Sequence, residues 1–166
     1  MFQATEGNFS YLEQMNPDGS GRSKVVPYPI NTIQSISPGR RWIVARVPVL
    51  ESTGVVTKAI PLDGGTPRTI CADFCVPAWS STGRFLVVPV EAPSRTSPGR
   101  SLAIPVGPGE SLPDFPPGGI RPLAEPTVVP GSRSVNRAEL VPGEDPSHFA
   151  YVNTAVHRNL YRISLP

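Results

Sequence analysis

The chain is short of the residues that most site chemistry requires. Its 166 residues include 2 histidines, 2 cysteines and 2 lysines. The 13 arginines are scattered, and the net charge is only +2. Nucleic acid is not expected as a partner, because phosphate recognition needs cations gathered on one face with aromatics between them. No run of 18 apolar residues occurs, so no membrane span is expected. The N-terminal stretch MFQATEGNFSYLEQMN has no basic region leading into an apolar one, so no export signal is expected either. On that reading the chain is cytoplasmic unless it is attached to an upstream membrane span, in which case it is extracytoplasmic (periplasmic). Long helices are excluded on other grounds: hardly any dozen residues lack a Pro or Gly, and the apolar runs are short and rich in Val and Ile. The 22 Pro and 15 Gly fall between these runs instead of in tracts. They punctuate turns in an all-β chain whose 39% apolar content can build a core.

Catalytic signatures are missing in the same way. There is no GxSxG elbow for a serine nucleophile, and GPGESLP and PPGG lack the strand-to-helix setting that cradles phosphate. HRN at 157 to 159 has Asn159 where a kinase catalytic loop needs Asp, and ADF at 72 to 74 lacks the Gly of a metal-binding DFG. His148 and His157 stand nine residues apart with no further ligand read at metal-binding spacing. No catalytic residue, cofactor or metal is expected.

What is present is a repeat. In VPAWSSTGRFLVV (76 to 88), an apolar run ending at Trp79 and Ser80 meets a polar turn at Gly83, and a second run starts at Phe85. That pattern is a hairpin with Trp79 and Phe85 on buried faces. SISPGRRWIVARV (35 to 47) repeats it 43 residues earlier, with Ile36 and Trp42 in the corresponding places. A second hairpin type turns on Asp18 and Gly19, and again on Asp63 and Gly64, where Gly tolerates the positive φ of a tight reversal. Alternating the two types gives four-stranded units of 43 to 45 residues, the size of one β-propeller blade. The expected blades are 9 to 26 (partial), 32 to 71, 75 to 133 and 135 to 166 (partial). The third has a degenerate outer strand and a Pro-rich insertion over 110 to 133, with an edge-like segment near Thr127 to Val129. The last uses 135 to 141, 148 to 154 and 159 to 165 as strands.

These motifs resemble the WD40-like propeller repeats of the TolB type (PD40 repeats), found in bacterial proteins, whose hairpins read WSPDGRxIAF and whose next connection reads DGGxxRxLT. The resemblance rests on Trp79, Ser80, Gly83, Arg84, Phe85 and Leu86, on Ser37, Pro38, Arg41, Trp42 and Ile43, and on Asp18, Gly19, Arg22, Asp63, Gly64, Gly65 and Arg68. Gly39 and Arg40 depart from the Asp-Gly pair, and Ser81 and Thr82 from Pro-Asp. The resemblance implies a propeller-like array, here an incomplete ring of two full and two partial blades. It implies a non-catalytic binding or sensing module whose loops meet a protein or small-ligand partner. The alternative it implies is the accessory extracytoplasmic propeller of a serine/threonine protein kinase or a prolyl-oligopeptidase-like peptidase, with the catalytic domain elsewhere. Arg40, Arg41 and Arg84 in the turns are either anion contacts or solvated surface. Cys71 and Cys75, across the short ADF link, either bridge or pack as two small apolar residues. An incomplete ring has open sheet edges, so self-association is expected.

Overall fold

The computed structural model describes residues 1–49, 53–121 and 129–152. Among them every regular element is a strand, and the strands form small antiparallel sheets taken in chain order. The first sheet holds β1 (Phe2–Glu6), β2 (Phe9–Gln14) and β3 (Ser23–Lys24). The second is a meander of β4 (Thr32–Ile36), β5 (Trp42–Pro48), β6 (Val55–Pro61) and β7 (Arg68–Cys71). The third repeats it with β8 (Ala78–Trp79), β9 (Phe85–Glu91), β10 (Arg100–Pro105) and β11 (Arg133–Val135). The fourth pairs β12 (Val141–Pro142) with β13 (Phe149–Ala150). Among the described residues no helix is long and apolar enough to cross a membrane.

The sheets pack face on face in sequence order, and the period of two along each strand shows how. In β5, Val44 belongs to a core shared with Leu86, Val88 and Ile104 of the third sheet, with Trp42 and Trp79 packed against it. Its neighbours Ile43, Ala45 and Val47 belong instead to a core shared with Leu12 of the first sheet. Both faces of β5 are therefore covered, which explains its nearly unbroken apolar run. The third sheet does the same: Leu86, Val88 and Val90 face the second sheet, and Val87, Ala103 and Val135 form a separate cluster with Leu140, just ahead of β12.

One hairpin is built three times. Ser37 N–H donates to the Trp42 carbonyl at 2.9 Å, Ser80 N–H to the Phe85 carbonyl at 3.0 Å, and Gly143 N–H to the His148 carbonyl at 2.8 Å. In the first two, a buried serine Oγ also accepts from the closing residue, Trp42 N–H at 3.1 Å and Phe85 N–H at 3.0 Å. Arg40 takes a left-handed φ of 53° where Gly83 takes 71°, so Arg40 keeps in its hairpin the turn that Gly83 makes in the other, at some backbone strain. The three hairpins touch in order: a methyl group on Gly83 would stand 3.5 Å from Pro38 Cγ, and Thr82 Oγ1 donates to the Glu144 carbonyl at 3.4 Å.

The structure corrects several boundaries. The first sheet begins at Phe2, not at residue 9, because the Gly7 turn at φ 59° folds β1 back on β2. The third sheet has its outer strand, at Arg133–Val135, where the register pairs Ser101 with Val135 and Ala103 with Arg133. Residue 135 therefore ends the third sheet and does not open the fourth, whose first strand is only Val141–Pro142. The Pro-rich insertion supplies its edge segment at Ile120, which bonds alongside β7 through Ile120 N–H to the Ile70 carbonyl and Ala72 N–H to the Ile120 carbonyl. That bridge covers the outer edge of the second sheet. Thr127 and Val128, and the segment 159 to 165 assigned to the last blade, lie outside the described residues.

Candidate functional site

Between the third and fourth sheets lies a cleft of about 750 Å³. Among the described residues four stretches line it: 74 to 78 leading into β8, 89 to 93 at and just past the end of β9, 138 to 141 leading into β12, and 150 to 152 running on from the end of β13.

The floor is set by a bulge. Pro89 has no N–H to give the ladder, and the β9–β10 register slips between Arg100 and Ser101, so that Arg100 faces Glu91 while Ser101 faces Pro89. Glu91 meets Arg100 Nε at 3.6 Å and accepts from Ser97 Oγ at 3.2 Å. Gly99, at φ 76°, closes the turn beneath; a methyl there would lie 2.5 Å from the Glu91 carbonyl oxygen and 2.6 Å from Ala138 Cβ.

The wall at 74 to 78 is pinned from the second sheet. Thr57, fully buried in β6, donates through Oγ1 to the Cys75 carbonyl at 3.0 Å and accepts from Cys75 N–H at 3.2 Å. Gln34 Nε2 donates to the same carbonyl at 2.9 Å. Cys71 and Cys75 form a disulfide, with their Cα atoms 6.2 Å apart. Phe74, inside that five-residue loop, is left 48% exposed at the cleft, with the Arg46 guanidinium 4.6 Å from its ring centre. The opposite wall hangs from Ser101, buried in β10, whose hydroxyl donates to the Arg137 carbonyl at 2.7 Å. Ala138 N–H donates to the Pro98 carbonyl at 3.1 Å. Arg137 covers the Tyr151 ring at 3.9 Å.

The donor and acceptor inventory of the cleft is one-sided. Among the described lining residues Glu91, Glu139 and Tyr151 carry the only polar side chains, apart from the bridged Cys75; no described Lys, Arg, His, Ser, Thr, Asn or Gln lines it. The rest is Phe, Val, Leu, Ala and Pro. Such a surface suits a largely apolar guest with a hydrogen-bond donor.

Apart from Cys75, which lines the cleft, the residues singled out in the sequence fall elsewhere. Trp42 and Trp79 pack against the core between the second and third sheets, where Trp42 Nε1 donates to Ser111 Oγ at 2.8 Å, whereas Phe85 is half-buried and belongs to none of the core clusters. Asp18 holds its own turn, accepting from Ser20 N–H at 2.9 Å and Ser20 Oγ at 2.7 Å, bonds that lower its pKa. Gly19 beside it has φ 86°, and Gly64 has φ 88°. Asp63 does something different, meeting Arg41 across the surface at 3.4 Å. His148 sits in the third hairpin with Nδ1 2.6 Å from Asp145 Oδ2, so a carboxylate does stand three residues from it. Hydrogen bonds from the Ser147 hydroxyl and N–H, joined by His148, hold Asp145 down to about 2, and it stays ionised in all but strong acid. Among the described residues no group of three or more His, Cys, Asp or Glu is placed to hold a metal ion, and His157 lies outside them.

Reasoning from sequence missed Thr57, Ser101 and the cleft itself. The first two leave a faint trace, as single hydroxyls inside the apolar strands VVTKAIP and SLAIP. Comparison with family models, with curated proteins and with solved structures finds no match for this chain.

Proposed function

We propose that this chain is a non-catalytic binding module, a propeller-like array of small blades whose cleft between the third and fourth sheets receives its ligand. Three observations support the propeller reading. The sheets pack in sequence order, their equivalent hairpins touch in a row, and the two complete sheets repeat at a spacing of 43 residues, as TolB-type repeats do. The observation that carries the binding reading is the cleft: about 750 Å³, inside the range of small-molecule sites, with walls held by buried hydroxyls and a disulfide. Among the described residues its lining offers no nucleophile beside a base, which favours binding over turnover.

The Cys71–Cys75 bridge favours the extracytoplasmic form of this reading, since such bonds persist where thiols are kept oxidised. The same form would suit an accessory propeller serving a kinase or peptidase domain.

A titration tests the binding site. With isotope-labelled protein, 2-naphthalenemethanol should shift amide resonances of 74 to 78, 89 to 93, 138 to 141 and 150 to 152 in a saturable way. Shifts spread evenly over the chain, or none at saturating probe, would remove the cleft from consideration.

A further inference from the structure

We infer that the cleft selects a small organic cation, an apolar body of about two fused rings carrying one ammonium group; this rests on the binding reading above. The volume admits a drug-sized guest, and the aromatic rims Phe74 and Tyr151 with Val76, Val90 and Leu140 supply the apolar walls.

Arg100 is paired with Glu91 at 3.6 Å, and the guanidinium groups of Arg46 and Arg137 lie over the rings of Phe74 and Tyr151. None of the three lines the cavity. Glu139 does, on an exposed loop, and it has no ion pair or side-chain hydrogen bond among the described residues. Among the described residues an anionic guest would find two carboxylates and, as a side-chain donor, only the Tyr151 hydroxyl. A neutral guest can offer the Glu139 carboxylate no more than a neutral hydroxyl or N–H donor. An ammonium group satisfies that carboxylate directly, and a charge-assisted hydrogen bond is the stronger kind. Glu91, half satisfied by Arg100 and Ser97, contributes the second acceptor.

Three naphthalene probes of the same shape separate the outcomes on the full chain: 2-naphthylmethylammonium, 2-naphthalenemethanol and 2-naphthoate. Isothermal titration should show the ammonium binding about tenfold tighter than the alcohol, and the carboxylate weakest. Glu139→Gln, a change on an exposed loop, should cut the ammonium preference to about twofold while leaving the thermal midpoint unchanged. Equal affinity for the three probes would overturn the cation assignment and leave the cleft standing as an apolar site. Preference for the carboxylate, or an ammonium preference unmoved by Glu139→Gln, would overturn it too. Binding of none of the probes would overturn both readings, and binding of a basic apolar peptide alone would assign the cleft to a protein partner instead.

Discussion

Replacing Cys71 and Cys75 together by alanine is expected to destabilise the protein by about 2–4 kcal/mol and lower its thermal midpoint by about 5–15 °C. The bridge closes a loop of only five residues, so constraint of the unfolded chain accounts for the lower end, about 2 kcal/mol. The remainder comes from position. Both cysteines are buried in the core between the second and third sheets, and Cys75 is the residue that Thr57 and Gln34 grip. Scanning calorimetry with and without a dithiol reductant checks this. Reductant should lower the native protein's midpoint toward the variant's and leave the variant where it was. A variant that melts with the native protein would show that the bridge adds nothing to the link it spans.

The second large effect is expected at Gly99. Alanine there meets two costs at once: a left-handed φ of 76°, and a methyl group 2.5 Å from the Glu91 carbonyl and 3.0 Å from Pro93 N. Neither neighbour is the end of a flexible side chain, so the floor of the cleft has to move. Together the strain and the overlap are expected to cost about 2–4 kcal/mol. Gly109 provides the control, because it has a similar φ of 78° and a methyl group added there would have nothing within 4 Å. Gly109→Ala should cost about 1 kcal/mol, from strain alone. Urea unfolding of the two variants decides the matter, and equal losses would mean that the close packing of Gly99 under Glu91 and Ala138 is absent in solution. Gly99→Ala should also weaken naphthalene binding in the cleft, whereas Gly109→Ala should not.

Much of the second and third sheets was legible in the sequence, for a physical reason. Their strands are β-branched runs buried on both faces, and their turns carry Gly, Asp or Ser at positions where few other residues fit. The third hairpin was not legible. Gly143 stands where Ser37 and Ser80 stand, and the insertion stretches the spacing from 43 residues to 63. The strand Arg133–Val135 escaped because its three residues carry one buried side chain, Val135, and no alternating pattern can be read from one position. The cleft was out of reach for a different reason. Its walls come from four stretches between residues 74 and 152, brought together by Thr57 and Ser101, and a lone hydroxyl in an apolar strand does not reveal which carbonyl it will find. The tryptophans that marked the repeat in the sequence mark the core between sheets, and not the site.

The stacking of separate sheets is tested most directly by nuclear Overhauser contacts in labelled protein. Contacts should appear between Gly83 and Pro38, and between the methyl groups of Val44 and Leu86, with no cross-strand amide contacts between β7 and β8. Amide ladders joining β7 to β8 in one continuous sheet, together with missing Gly83–Pro38 contacts, would contradict the stack of separate sheets, the proposed array of blades and the cleft that depends on it.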